Sequence, residues 1–178
     1  MTDTFTYIIG IPGSGKSTAL AKATAHLATL PLDKPLKHVA LLDPDNDHAL
    51  TAVELGHRRP LFPGTDALSR NVQPRAVSWI ATHPARHLIA EGDRLANPSF
   101  LDAILNSDYT LRLVWLDTPT DLAASRRAAR STVIQNPSWV NGRITKIRNL
   151  TDTYETIRLD GTLDPDTIAA ELRQLLNL

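Results

Sequence analysis

A chain of 178 residues, 42% hydrophobic and 21% charged, can bury the core of one domain and is short for two. Its 19 Lys and Arg balance 19 Asp and Glu, which excludes a global field toward nucleic acid or membrane and leaves room for a local basic groove. It has no cysteine, so disulfides and thiolate metal sites are excluded. Polar residues follow Met1 and no apolar run reaches membrane length, so the expectation is a cytoplasmic protein without signal peptide or membrane span.

Phe5, Tyr7, Ile8 and Ile9 predict a first strand. It enters Gly10-Ile11-Pro12-Gly13-Ser14-Gly15-Lys16-Ser17, which meets G-x-x-x-x-G-K-[ST] at every position. Residues 18–30, free of Gly and Pro, predict a helix. The dinucleotide pattern G-x-G-x-x-G fails, because Thr18 stands where its third Gly belongs. After a loop at 31–35, residues 39–42 predict a second strand ending in Asp43-Pro44-Asp45-Asn46-Asp47, and residues 48–57 a helix. Residues 58–71, with Pro60, Pro63 and Gly64, form an irregular stretch of a length that is often functional.

A helix is expected over about 73–82, then a third strand at 88–90 ending in Glu91-Gly92-Asp93. A helix around 100–105 starts at the signal Asn97-Pro98. A fourth strand at 111–116 ends at Asp117, and helices follow at 121–130 and 137 to about 153. A fifth strand at 155–159 and an amphipathic helix at 165–176 close the chain. Strands alternating with helices predict a single-domain α/β fold, a five-stranded parallel sheet covered on both faces. Ligands bind such sheets at the C-terminal strand ends, where Asp43/Asp45, Glu91/Asp93, Asp117 and Asp160 are expected to gather.

The glycine loop predicts binding of ATP or GTP: Gly10, Gly13 and Gly15 let the backbone wrap an anion, Pro12 stands in the loop, and the amides of Gly13–Thr18 with the helix N-terminus supply positive potential. Lys16 is placed to reach the β- and γ-phosphates and Ser17 to ligate Mg²⁺. An acceptor hydroxyl needs orientation and loss of a proton, a task assigned to Asp45 with Asp43 as the alternative. Glu91 and Asp93 occupy the acidic position that supports Mg²⁺, and Arg94 can clamp a charged group of the acceptor. Arg126, Arg127 and Arg130 share helical faces, and with Arg143 on the next helix are expected to close over the triphosphate. Trp79 and Trp115 fit core positions; Trp139, among polar neighbours, suits stacking on a base or covering the site.

The P-loop, the Asp-x-Asp after the second predicted strand, and Leu116-Asp117-Thr118-Pro119 followed by Arg126, Arg127 and Arg130 resemble the nucleoside-monophosphate-kinase-like branch of P-loop kinases. That resemblance implies strand order 2-3-1-4-5, a lid at about 121–146 whose arginines grip ATP, and adenine near Asp160-Gly161-Thr162-Leu163. Gly64-Thr65-Asp66-Ala67-Leu68, Glu91-Gly92-Asp93-Arg94-Leu95 and Trp139-Val-Asn-Gly-Arg143-Ile-Thr-Lys146 resemble small bacteriophage P-loop kinases, some of which phosphorylate 5-hydroxymethyluracil in DNA. This narrower resemblance implies acceptor contacts by Asp66, Arg94, Trp139 and Arg143, and the host cytoplasm as location. The resulting expectation is a kinase, monomeric or weakly dimeric, that uses ATP and Mg²⁺ to phosphorylate a hydroxyl of a nucleotide-type acceptor. The alternatives are a kinase of a free nucleoside monophosphate or small metabolite, and an acceptor-independent nucleotide-hydrolysing switch.

Overall fold

The computed structural model describes residues 2–60, 63–130 and 135–178; parts of the expected acceptor loop (61–62) and lid (131–134) lie outside the described residues. In chain order the elements are β1 (Thr4–Ile9), α1 (Lys16–Ala23), β2 (Ala28–Leu32), β3 (His38–Asp43), β4 (Ala49–Leu55), α2 (Gln73–Ile80), β5 (His87–Glu91), α3 (Pro98–Leu105), β6 (Thr110–Asp117), α4 (Thr120–Arg130), α5 (Pro137–Thr153), β7 (Ile157–Asp160) and α6 (Pro165–Leu176). A short 3-10 turn at Thr65–Ala67 precedes α2.

All six residues of β1 are buried, as befits a central strand covered on both faces. Phe5, Tyr7 and Ile9 pack with Phe100, Leu101, Ile104 and Ile147 on one face. On the other, Ile8 packs with Leu20 and Ala23 of α1 and Ile168 and Leu172 of α6. Period-two alternation in one strand thus feeds two cores. The sheet order is β2-β3-β4-β5-β1-β6-β7, and β4-β5-β1-β6-β7 are mutually parallel. Ile8 aligns with Glu91 and with Val114, so the P-loop after β1 emerges beside the ends of β5 and β6.

Two corrections change the rim. The sheet has seven strands in mixed order, not five parallel ones, because β2, β3 and β4 form an antiparallel meander. Residues 28–30, expected as the end of the first helix, and residues 31–32, expected as loop, became the edge strand β2, so that α1 stops at Ala23, and Pro31 lacks only a donor that an edge can spare. Residues expected as a helix became β4, since pairing with β3 on one side and β5 on the other outweighs the helical preference of Ala, Leu and Glu. The parallel strand next to β5 is therefore β4, and β3 runs the opposite way.

The second correction follows from the first. Asp43 pairs with Ala49, the first residue of β4, so Asp43 and Asp45 stand at the rim opposite the P-loop. The seven residues of β4 separate the two rims by about 20 Å at 3.3 Å per residue. Asp43 instead accepts the amide of Asp45 at 3.0 Å within the β3–β4 turn, and neither residue can serve as base for a phosphoryl group held by Lys16.

Candidate active site

The P-loop connects β1 to α1 with Gly15 at the helix N-cap. Gly13 has φ +87°, and a side chain there would strike the carbonyl of Ala123 and Cγ of Arg127, so only glycine lets α4 lie against the loop. Lys16 Nζ donates to Gly10 O at 2.9 Å and to Ile11 O and Ser14 Oγ, both at 3.2 Å. Burial lowers its pKa, opposed by the charges of Glu91, Asp66 and Asp93.

Ser17 Oγ donates to Glu91 Oε1 at 2.8 Å. Glu91 ends β5 with 2% exposure; burial raises its pKa, while Lys16 and the Ser17 hydrogen bond pull it down. Gly64, at φ +61°, lies against this carboxylate: a Cβ there would stand 2.5 Å from both Glu91 O and Oε1. Ser17 and Glu91 thus set two hard oxygens beside the phosphate cradle. That donor set fits Mg²⁺, which takes one or two protein oxygens and completes its shell with water and substrate phosphate. Among the described residues no group of three or more His, Cys, Asp or Glu is arranged to hold a metal.

The third wall is acidic and backbone-braced. Asp66, in the 3-10 turn, accepts the amides of Asp93 and Arg94 through Oδ1, both at 3.0 Å. Tyr7, fully buried beneath, donates to Gly92 O at 3.3 Å. Asp93 is engaged by α5: Arg143 Nη1 lies 3.0 Å from Oδ2, and Lys146 Nζ donates to Oδ1 and to the backbone carbonyl, both at 2.9 Å. Asp93 therefore tethers α5 to the end of β5, whereas Glu91 keeps company with Ser17.

The expected lid arginines separate by task. Arg126 Nη1 donates to Ser14 O at 3.1 Å and Gly161 O at 3.0 Å, joining the P-loop to the turn after β7. Arg127 donates to Pro12 O. Arg130 lines the cleft, as do Trp139 and Arg143. Asp160 accepts the amide and hydroxyl of Thr162 and stays in its own turn, and Asp117 is paired with Arg158 at 2.8 Å. These elements enclose a cleft of about 250 Å³ walled by the P-loop, Asp66, Glu91, Asp93, Arg126, Arg130, Trp139 and Arg143.

A phosphate cradle, a buried carboxylate on its Ser17 and a second carboxylate across the cleft are the furniture of phosphoryl transfer. The sequence matches the model of a family described as P-loop Nucleotide Kinase3 over residues 1–177. The chain belongs to that family. Membership in the P-loop Nucleotide Kinase3 family makes it a kinase-like phosphotransferase that binds nucleotide, ATP, typically with Mg²⁺. A comparison with curated proteins gave no match. Among solved structures, an unliganded sugar kinase from a Janibacter species is similar at 12% identity and TM-score 0.57, over 99% of this chain and 95% of that one. A deoxyadenosine kinase from M. mycoides, with products bound, gives 13% identity and TM-score 0.48 over 98% and 99%. The first likeness shows the shared fold.

Sequence reasoning missed three parts of the kinase site. Glu54, near the end of β4 and 2% exposed, pairs with Arg58 at 2.7 Å, and Arg58 also reaches Thr24 at 2.6 Å, bracing the start of the irregular segment 58–71 on the end of α1. Only the correct second strand reveals it. Thr118 donates to Ser14 O at 3.3 Å, a contact that sequence separation hides. Gln135, one residue before the N-cap of α5, also lines the cleft, and nothing in a polar loop marks it. Among the described residues no helix is long and apolar enough to cross a membrane.

Proposed function

We propose that this protein transfers the γ-phosphoryl group of ATP to a hydroxyl of a nucleotide-type acceptor, with Asp66 as the residue that orients the hydroxyl and takes its proton. The observation that carries the reading is the placement of Asp66 across the cleft from Lys16. Two backbone amides hold its Oδ1, and the side chain lines the cleft. A carboxylate anchored through one oxygen presents the other in a fixed direction, which is what general-base work needs.

Lys16, the loop amides Gly13–Thr18 and the N-terminus of α1 bind the phosphates, and Mg²⁺ held by Ser17 and Glu91 would neutralise charge on the β- and γ-oxygens. Arg130 and Arg143 face the same space and serve the transferring group from the lid side. Arg126 and Arg127 hold the P-loop itself, so their role is positioning. By the resemblance to nucleoside-monophosphate-kinase-like proteins, adenine lies near Asp160 and Gly161.

The sharper form, with 5-hydroxymethyluracil in DNA as acceptor, rests on the motif resemblance around Gly64–Leu68, Glu91–Leu95 and Trp139–Lys146. Transfer of ³²P from γ-labelled ATP with Mg²⁺ tests both levels, using DNA with and without 5-hydroxymethyluracil and a panel of nucleosides, monophosphates and sugars. Label on a hydroxyl acceptor is the expected result. Label confined to the modified DNA carries the sharper form; label on a free nucleotide carries the coarser one. Phosphate release with every acceptor unlabelled replaces the kinase with a nucleotide-hydrolysing switch.

A further inference from the structure

Beneath the acidic wall of the cleft lies a buried hydroxyl that the proposed chemistry does not use. Tyr7 stands on β1, the strand that leads into the P-loop. Its ring is fully buried and held edge-to-face by Phe5 at 6.2 Å and by Phe100 at 6.1 Å between centroids, which fixes where the hydroxyl points. A phenol has one proton to give. Tyr7 donates it to Gly92 O at 3.3 Å, so its oxygen accepts from Thr65 Oγ1, 3.4 Å away. Thr65 is itself fully buried and opens the 3-10 turn that carries Asp66. The chain Thr65–Tyr7–Gly92 therefore ties that turn to the end of β5 by way of β1.

The turn and the strand end also meet directly. Gly92 is at φ +109°, and a Cβ there would stand 2.8 Å from Thr65 Oγ1 and 3.3 Å from Cγ and Oδ2 of Asp66. Asp66 Oδ1 takes the amides of Asp93 and Arg94, which leaves Oδ2 as the oxygen to meet an acceptor. Those two amides pin one oxygen and let the turn rock about it; the hydroxyl chain, one residue earlier, removes that freedom. Burial raises the Tyr7 pKa well above its ordinary value; the Thr65 hydrogen bond opposes this, and the charges of Asp66, Asp93 and Glu91 add to it. The phenol therefore stays neutral, a donor that brings no further negative charge under three carboxylates.

We infer that Tyr7 and Thr65 are positioning residues for Asp66: their hydroxyls brace the 3-10 turn against Gly92 and so set the direction of Asp66 Oδ2. The inference rests on the proposed role of Asp66 as the base and adds what holds it there. Such a brace matters to turnover because a misplacement of about 1 Å in a reacting geometry can cost about 10²-fold.

Two measurements on the whole protein test this. The first is amide hydrogen exchange read by NMR, which needs no acceptor. In Tyr7→Phe and in Thr65→Val the amides of Asp93 and Arg94 exchange about tenfold faster or more, while those of Ile8 and Ile89 keep wild-type protection. A hydroxyl that served only global stability would speed all four. The second is steady-state transfer from ATP with Mg²⁺ to the best-labelled acceptor of the nucleoside, monophosphate, sugar and DNA panel. There kcat falls about tenfold or more in either variant with KM for ATP unchanged. Thr65→Ser, which keeps the hydroxyl, recovers it, and Tyr7→Phe costs nothing further in an Asp66→Asn background. Uniformly faster exchange, wild-type kcat in both variants, or an equal loss from Tyr7→Phe in the wild-type and Asp66→Asn backgrounds overturns the brace and leaves the kinase standing. Faster exchange confined to Asp93 and Arg94, in a protein that labels no acceptor, keeps the brace and removes the kinase.

Discussion

Ser17 Oγ and Glu91 Oε1 meet at 2.8 Å, joining the last residue of the P-loop motif to the last residue of β5. The contact exists because β1 and β5 are parallel neighbours with Ile8 and Glu91 in register. It places a carboxylate beside the phosphate cradle. Glu91→Gln is expected to raise the Mg²⁺ concentration for half-maximal transfer about tenfold or more. A Mg²⁺ titration of phosphoryl transfer reads it, and an unchanged midpoint would remove Glu91 from the metal.

Gly64 holds that carboxylate in place from the other side. In Gly64→Ala the new Cβ must displace Glu91 or the backbone at φ +61°. The expected outcome is a loss of about 1–3 kcal/mol in stability together with weaker Mg²⁺ dependence of the same sense as Glu91→Gln. Thermal melts and the Mg²⁺ titration check the two effects; a Gly64→Ala protein with wild-type values for both would show that the packing is not tight.

Asp66 and Asp45 divide the fold from the sequence motif. Asp66→Asn keeps an oxygen for the amides of Asp93 and Arg94 and removes the charge, so turnover should fall about 10²–10⁴-fold with little change in ATP affinity. Asp45→Asn, on the far rim, should turn over normally. The reverse pattern in steady-state kinetics would return the base to the β3–β4 turn.

Lys16→Ala removes the ammonium that the loop carbonyls and Ser14 hold. Transfer should fall by at least about 10²-fold, the scale of losing one preorganised charge-stabilising group, while circular dichroism stays that of the wild type. Transfer at the wild-type rate would take the P-loop out of the chemistry.

Glu54 gives a pH test. Burial holds its pKa above the ordinary carboxylate value, and Arg58 offsets this only in part. A raised folded pKa means that this group's contribution to stability is present below the unfolded pKa and is lost as pH rises through the folded one. Glu54→Gln keeps an oxygen for Arg58 and does not titrate. Relative to wild type, its melting temperature should therefore climb from acid to neutral pH and then level off. A difference that is flat with pH, or that falls, would contradict the burial penalty.

The amino-acid order alone determined the parts built from neighbours in the chain. The P-loop is local because its amides, Lys16 and Ser17 lie within eight consecutive residues. The spans of α5 and α6 were legible for the same reason, since the signals that open a helix, here the N-caps Asn136 and Asp164 with the prolines after them, act within one turn. Strand direction is different. A run such as Val39–Leu42 reads the same whether its neighbours are parallel or not, and only pairing with β4 turned Asp43 and Asp45 away from the phosphates. The same pairing made a strand of residues whose own preference is helical. It also set Glu54 behind the irregular segment 58–71, and the parallel register of β1 and β5 set Glu91 against Ser17. Tertiary structure decided these because they depend on contacts between distant segments, whose energy exceeds the few tenths of a kcal/mol per residue, roughly, by which local propensity speaks.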